Sequence, residues 1–185
     1  MNKAVTSKEA ILEVSRKLIQ EEGWSAVNIR AVASAGNISV GSVYNYFSSK
    51  SELAAATVES IWMDIFHAPV QNAERFDFLA CIEWIFARLE NGAEKYPDFF
   101  ELHSMSFVGA DKTEGRHRMS QAWTHIQNQL LDVLKKDAKI RPDAFNDVFT
   151  DKKLVDSIFA ILFFALLQKD YDSSAAVEMV RRLIY

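Results

Sequence analysis

Residues 28 to 47 read NIRAVASAGNISVGSVYNYF, and the offsets inside this stretch decide the fold. Two short helices that cross closely need a small residue where their backbones meet, and Ala33 supplies it. Four positions on, the turn needs a residue that tolerates positive φ, and Asn37 is the most tolerant type after glycine. Six positions further, the second helix must set a branched apolar side chain against the first; Val43 does so, with Val32 and Ile38 beside it. Ala33, Asn37 and Val43 therefore have the spacing of a helix-turn-helix. Asn28 is placed to cap one helix, Ile29 to about Ser34, and Ser39 to cap the next, through about Tyr46.

The pattern continues in both directions. Thr6 and Glu9 have capping-box spacing and open a first helix, on which Ile11, Val14, Leu18 and Ile19 share a face before Gly23 ends it. Ser49 and Glu52 repeat the box and open a fourth helix with Leu53, Val58, Ile61, Trp62, Ile65 and Phe66 on its apolar face. Beyond Pro69, an aromatic-rich helix is expected over 77–91, and Pro97 suits the first turn of another. A loop is expected over Val108 to Gly115, then a helix from about Arg116 to Lys136, a short one opened by Pro142, and two last helices over 151–169 and 173–184. No β alternation or internal repeat is present. With 6 glycines and 3 prolines in 185 residues, the reading is all-α.

Composition removes several function classes. A hydrophobic content of 49% supports a sizeable core and excludes general disorder. Cys81 is the single cysteine, so an internal disulfide and a thiolate cluster are both excluded; between Ala80 and Ile82 it reads as core filler. The start MNKAVTSKEA has no apolar stretch of signal-peptide length, which points to the cytoplasm. The most apolar run, Ile158 to Leu167, is about half of a bilayer span, so no membrane role is expected. His117 and His125 are the only histidines with a shared helical face, a weak zinc signal, and no metal or other cofactor is assigned. No nucleophile–base set, phosphate loop or close carboxylate pair stands out, which argues against an enzyme. The net charge is −4, yet residues 1 to 53 carry six basic side chains (Lys3, Lys8, Arg16, Lys17, Arg30, Lys50) and five acidic ones. That polarity is compatible with a nucleic-acid partner at the N-terminal end.

The stretch from Ile11 to Leu53 resembles the DNA-binding domain of the TetR family. The resemblance is carried by Ile11 and Leu18, Gly23-Trp24, Ile29-Arg30 with Val32-Ala33, Ser39-Val40-Gly41-Ser42-Val43-Tyr44, Tyr46-Phe47, Lys50 and Leu53. Asn28 stands where the family usually has threonine, Gly36-Asn37 where it has alanine-glycine, and Tyr46 where histidine is common. Glycine at 36 should loosen the end of the second helix, at about 1 kcal/mol relative to alanine.

The resemblance implies a helix-turn-helix domain over 1–49 and a helical ligand-binding and dimerisation domain over 50–185. The third helix should enter the major groove with Val40, Ser42 and Asn45 facing bases and Gly41 allowing close approach. Ser39 at the helix start, with Asn28, Arg30, Tyr44, Tyr46 and Lys50, should meet phosphates, which set register and affinity. No arginine or lysine stands among the base-facing residues, so thymine methyls, Asn45 and DNA shape should carry more of the reading.

Further along, residues 154 to 167 (LVDSIFAILFFALL) are apolar nearly all round and need cover on several sides. The resemblance implies that this helix and the last one pair with their copies as a four-helix bundle, through Leu154, Ile158, Ile161, Leu162, Ala165, Val180 and Leu183. It also implies a pocket for a small apolar or amphipathic effector in the middle helices, with Trp84, Tyr96, Phe100, His103, Phe107 and Trp123 as candidate lining. The expected function is a ligand-responsive homodimeric repressor of a palindromic operator. The sparse positive charge of residues 23 to 51 keeps open a helical ligand-binding or protein-interaction dimer without operator recognition.

Overall fold

The computed structural model describes residues 7–66, 77–100 and 114–185, and of 114–123 and 125 the backbone only. Among the described residues it is helical with no strand. α1 spans Lys8–Glu22, α2 Ile29–Ala35, α3 Val40–Tyr44 and α4 Lys50–Phe66. α5 spans Phe78–Lys95, α6 Glu114–Lys136, α7 Asp151–Gln168 and α8 Ser174–Ile184. A 3-10 turn, Trp24–Ala26, links α1 to α2.

Several boundaries differ from the sequence reading. α1 is capped by Ser7, whose hydroxyl accepts from the Ala10 N–H at 3.1 Å, and not by Thr6, which lies outside the described residues. α3 stops at Tyr44, two residues short of expectation. α5 runs on to Lys95, and Pro97 falls in the turn after it, where Asp98 takes a positive φ of 62°. Pro142 opens no helix: residues 137–150 are turns and bends held by short-range bonds such as Ala144 N–H to Arg141 C=O at 3.1 Å. A proline can begin a helix, but here Asn146 Oδ1 takes the N–H groups of Val148 and Phe149 at 2.9 and 2.8 Å, so those donors close a local turn instead. Most of the loop expected over Val108 to Gly115 lies outside the described residues, and Glu114 and Gly115 already belong to α6.

The chain divides into two compact units that interleave in sequence, Met1–Ile65 with Gly92–Ser120, and Phe66–Asn91 with Gln121–Tyr185. In the first, Ile11, Leu18 and Ile19 of α1, Val32 and Ala33 of α2, Val43 of α3 and Phe47 are buried. Each of the Ile, Leu, Val and Phe side chains contributes about 1.5–3 kcal/mol when fully buried. In the second, Phe78, Ile82, Ile85 and Leu89 of α5, Leu130 and Leu134 of α6, Leu154, Ile158 and Leu162 of α7, and Val177, Val180 and Ile184 of α8 are buried. Asp137 ties the ends of this unit together. It accepts from the Phe78 N–H at 2.9 Å, from the Lys139 N–H at 2.9 Å and from the Tyr185 hydroxyl.

Candidate nucleic-acid interface

The helix-turn-helix joint forms as its residue types require. Asn28 Oδ1 accepts from the N–H groups of Arg30 and Ala31 at 3.1 and 3.0 Å and starts α2. Gly36 N–H still reaches Val32 C=O at 2.9 Å, so glycine at 36 leaves the last turn of α2 closed. Asn37 has a φ of 51°, the left-handed value the turn demands, and sends the chain back so that Ile38 N–H meets Ala33 C=O at 2.9 Å. Ala33 and Val43 are 2% and 0% exposed, as two helices in close contact require.

With Val43 and Phe47 turned inward, the rest of α3 and its flanks face solvent. Ser39, Val40, Gly41, Tyr44, Asn45, Tyr46, Arg30 and Lys50 are exposed, and Asn28 and Ser42 are half-buried. These ten sequence candidates therefore lie around one joint. Ser39 Oγ accepts from the Ser42 N–H at 3.0 Å and lies 2.8 Å from Ser42 Oγ, so both hydroxyls engage their own helix first. Gly41 is the informative position. Among the described residues a Cβ placed there would meet only Ser39 Oγ, at 3.7 Å, so none of them calls for glycine. A helix gives up as much as about 1 kcal/mol by having glycine instead of alanine. The missing side chain instead leaves bare backbone on the outer face, where a second molecule can approach closely.

Residues 11–57 match the sequence profile of bacterial regulatory proteins of the tetR family. They form a TetR-family N-terminal domain. No curated protein matches the chain in sequence. Among solved structures, the fold is similar to that of the fatty acid degradation regulator FadR from Bacillus halodurans, with 16% identity over 96% of this chain and 97% of that one and a TM-score of 0.62. It is similar to the multidrug binding protein EbrR complexed with imidazole, with 18% identity, coverage of 97% and 92%, and a TM-score of 0.58. It is also similar to BioQ with its natural double-stranded DNA operator, with 17% identity, coverage of 89% and 86%, and a TM-score of 0.57.

The pocket candidates divide between the two units. Tyr96 and Phe100 belong to the first unit and are buried at 1% and 6% exposure, Phe100 against Trp62 with ring centroids 5.4 Å apart. Trp84 belongs to the second, half-buried against Phe66 at 6.0 Å. His103, Phe107 and the Trp123 side chain lie outside the described residues. The second unit carries an open groove of about 520 Å³ that sequence reasoning missed, lined by Leu134, Lys135, Asp137, Ile140, Phe145, Asn146, Thr150 and Asp151. Its irregular 137–150 wall has no sequence period to announce it. No described helix is long and apolar enough to cross a membrane.

The expected dimer residues differ in their exposure within the chain. Leu154, Ile158, Leu162, Ala165 and Val180 are buried within the chain itself, so they are not an outward surface. Ile161 is half-buried and Leu183 is 39% exposed. The outward apolar side chains are Phe164 (62%) and Leu167 on α7, with Met179 and Leu183 on α8. Ala160 and Ala175 extend the two stripes by one turn each.

Proposed function

We propose that the chain is a homodimeric transcriptional regulator of TetR type, acting in the cytoplasm, that binds a palindromic DNA operator and is released by a small apolar or amphipathic effector. The observation that carries this reading is the outer face of α3: a glycine with no intramolecular duty, flanked by exposed Val40, Asn45 and two exposed tyrosines, on a rigid buried joint. α3 enters the major groove, Val40 meets thymine methyl groups and Asn45 pairs with adenine edges. Arg30, Tyr44, Tyr46, Lys50 and the Asn28 and Ser39 caps lie against phosphates on either side.

The exposed Phe164, Leu167, Met179 and Leu183 support pairing of α7 and α8 with a second copy, since apolar side chains of this size favour cover. A two-fold dimer presents its recognition helices about 34–36 Å apart, one DNA turn, or at a multiple of it. The fold likeness to BioQ, solved with its operator, supports the DNA partner, and that to EbrR, solved with imidazole, supports the effector. Repression is the sign that the family resemblance implies.

The test is selection of bound sequences from a random duplex pool by the purified chain at moderate salt. A palindromic site is the expected result and supplies the probe for an effector screen. A folded dimer that enriches nothing over a range of salt would replace this reading with a ligand-binding or interaction dimer.

A further inference from the structure

α1 carries three cations, Lys8, Arg16 and Lys17, and the fold engages them differently. The Arg16 guanidinium donates to Ser60 Oγ on α4, and Lys17 Nζ lies 3.8 Å from Glu21 one turn along its own helix. Lys8 does neither. Its ammonium stands 5.6 Å from the centre of the Phe47 ring, and among the described residues no carboxylate pairs with it. Phe47 is buried and Lys8 exposed, an arrangement that keeps the charge at the surface over a closed ring.

Phe47 belongs to the turn between α3 and α4, directly after Tyr46 and three residues before Lys50. The ring therefore holds the Lys8 charge beside the turn that carries two side chains assigned to phosphates. The acid nearest that turn in sequence is already engaged: Glu52 Oε2 accepts from the Ser48 N–H at 2.7 Å and from the Ser48 hydroxyl at 2.6 Å. A ring face attracts an ammonium without neutralising it or taking up its N–H donors along a lone pair. The side chain is also restrained in advance, so less freedom is lost when an anion arrives. Lys8 precedes residues 11–57, so the family profile says nothing of it.

We propose that Lys8 is a further phosphate contact of the DNA surface, held over Phe47 and reaching the backbone alongside Tyr46 and Lys50. The proposal rests on the operator-binding reading above. It gives the uncharged outer face of α3 a third flanking cation, beside Arg30 and Lys50. A phosphate contact carries no base information, so its effect belongs to every duplex.

The experiment compares the full chain with Lys8→Met, Lys8→Arg and Lys17→Met, on the selected operator and on a random duplex, over a range of salt. Methionine retains an apolar stem to lie over Phe47 and removes the charge. Lys8→Met should weaken both duplexes severalfold and lower the slope of log K against log salt by about 0.9, the release of one counterion. Lys17→Met removes the same charge from the same helix and should keep the wild-type slope. Lys8→Arg should bind as wild type does. A Lys8→Met chain that loses Tm but keeps the wild-type slope would make Lys8 a cover for Phe47 alone and overturn the contact. An equal fall in slope for Lys17→Met would overturn it as well, since total charge and not place would then be at work. In either case operator binding stands. A wild type that binds no duplex would overturn both readings.

Discussion

Gly92 of α5 approaches Ile65 of α4 so closely that a Cβ on the glycine would lie 2.9 Å from Ile65 Cδ1. Phe100 Cζ would be only 3.2 Å away on another side. Gly92→Ala should therefore destabilise the chain. Overpacking costs about 1–3 kcal/mol, and removing a helical glycine returns at most about 1 kcal/mol. A net loss near 1 kcal/mol lowers Tm by about 2–4 °C in a chain of this size. Thermal unfolding followed by circular dichroism measures it, and an unchanged or raised Tm would mean that Ile65 gives way freely.

Gly41→Ala should do the reverse to stability. The added methyl meets only Ser39 Oγ, at an ordinary contact distance of 3.7 Å, and the helix gains up to about 1 kcal/mol, so Tm should rise slightly. Affinity for the selected operator should fall at least severalfold, because the methyl projects where bare backbone faced outward. A variant that is more stable and binds DNA as well as wild type would remove the argument from Gly41.

Tyr44, 51% exposed, is assigned to a phosphate. Tyr44→Phe should weaken binding to all duplexes alike and leave its salt dependence unchanged, since no charge is removed. Lys50→Ala should also lower the slope of log K against log salt by about 0.9, the release of one counterion. A Tyr44→Phe effect confined to one base position would move that side chain from phosphate to base.

Phe164 is the most exposed large apolar side chain of α7. Phe164→Glu would put an unpaired charge into the proposed dimer contact and should yield monomers with poor DNA affinity. Sedimentation velocity decides it: a variant that sediments as wild type would place the contact elsewhere.

Acid should unfold the chain partly through Asp64 and Asp137. Burial alone would raise the Asp64 pKa, but hydrogen bonds from Lys95 and Tyr96 outweigh it and hold the carboxyl below its ordinary 3.8. At Asp137, burial is likewise outweighed, by the Phe78 N–H and the Tyr185 hydroxyl. The folded state thus takes up these protons less readily than the unfolded one. Their stabilisation is present above pH 3.8 and is lost as pH falls through the lower folded values. Tm should drop steeply below about pH 4, and Asp64→Asn should flatten part of that drop. A wild-type Tm that holds constant through that range would show that neither carboxylate is engaged.

The helix-turn-helix was legible because its demands are local and specific to residue type. Asn37 and Gly23 stand where the backbone takes φ of 51° and 80°, and Asn28 and Ser39 stand where two helices lack N–H partners. The outward face of α7 was not legible. A helix apolar on all sides has no phase to read, so Leu154 and Ile158, which are buried, could not be told from Phe164, which is not. Asp64 and Tyr96 are 32 residues apart, and neither residue's neighbours in sequence signal the other. Pro142 misled for the opposite reason, since its local preference was real but the Asn146 side chain holds the following residues in a turn.

Between Arg30 and Lys50 there is no formally charged side chain at neutral pH, so the outer surface of α3 is electrically plain. Ions in solution screen the attraction of Arg30 and Lys50 for any duplex, but they leave methyl, amide and close backbone contacts nearly untouched. Random DNA would then let go of the protein sooner than the operator does as ionic strength rises. Discrimination is expected to sharpen in brine, even while overall grip slackens.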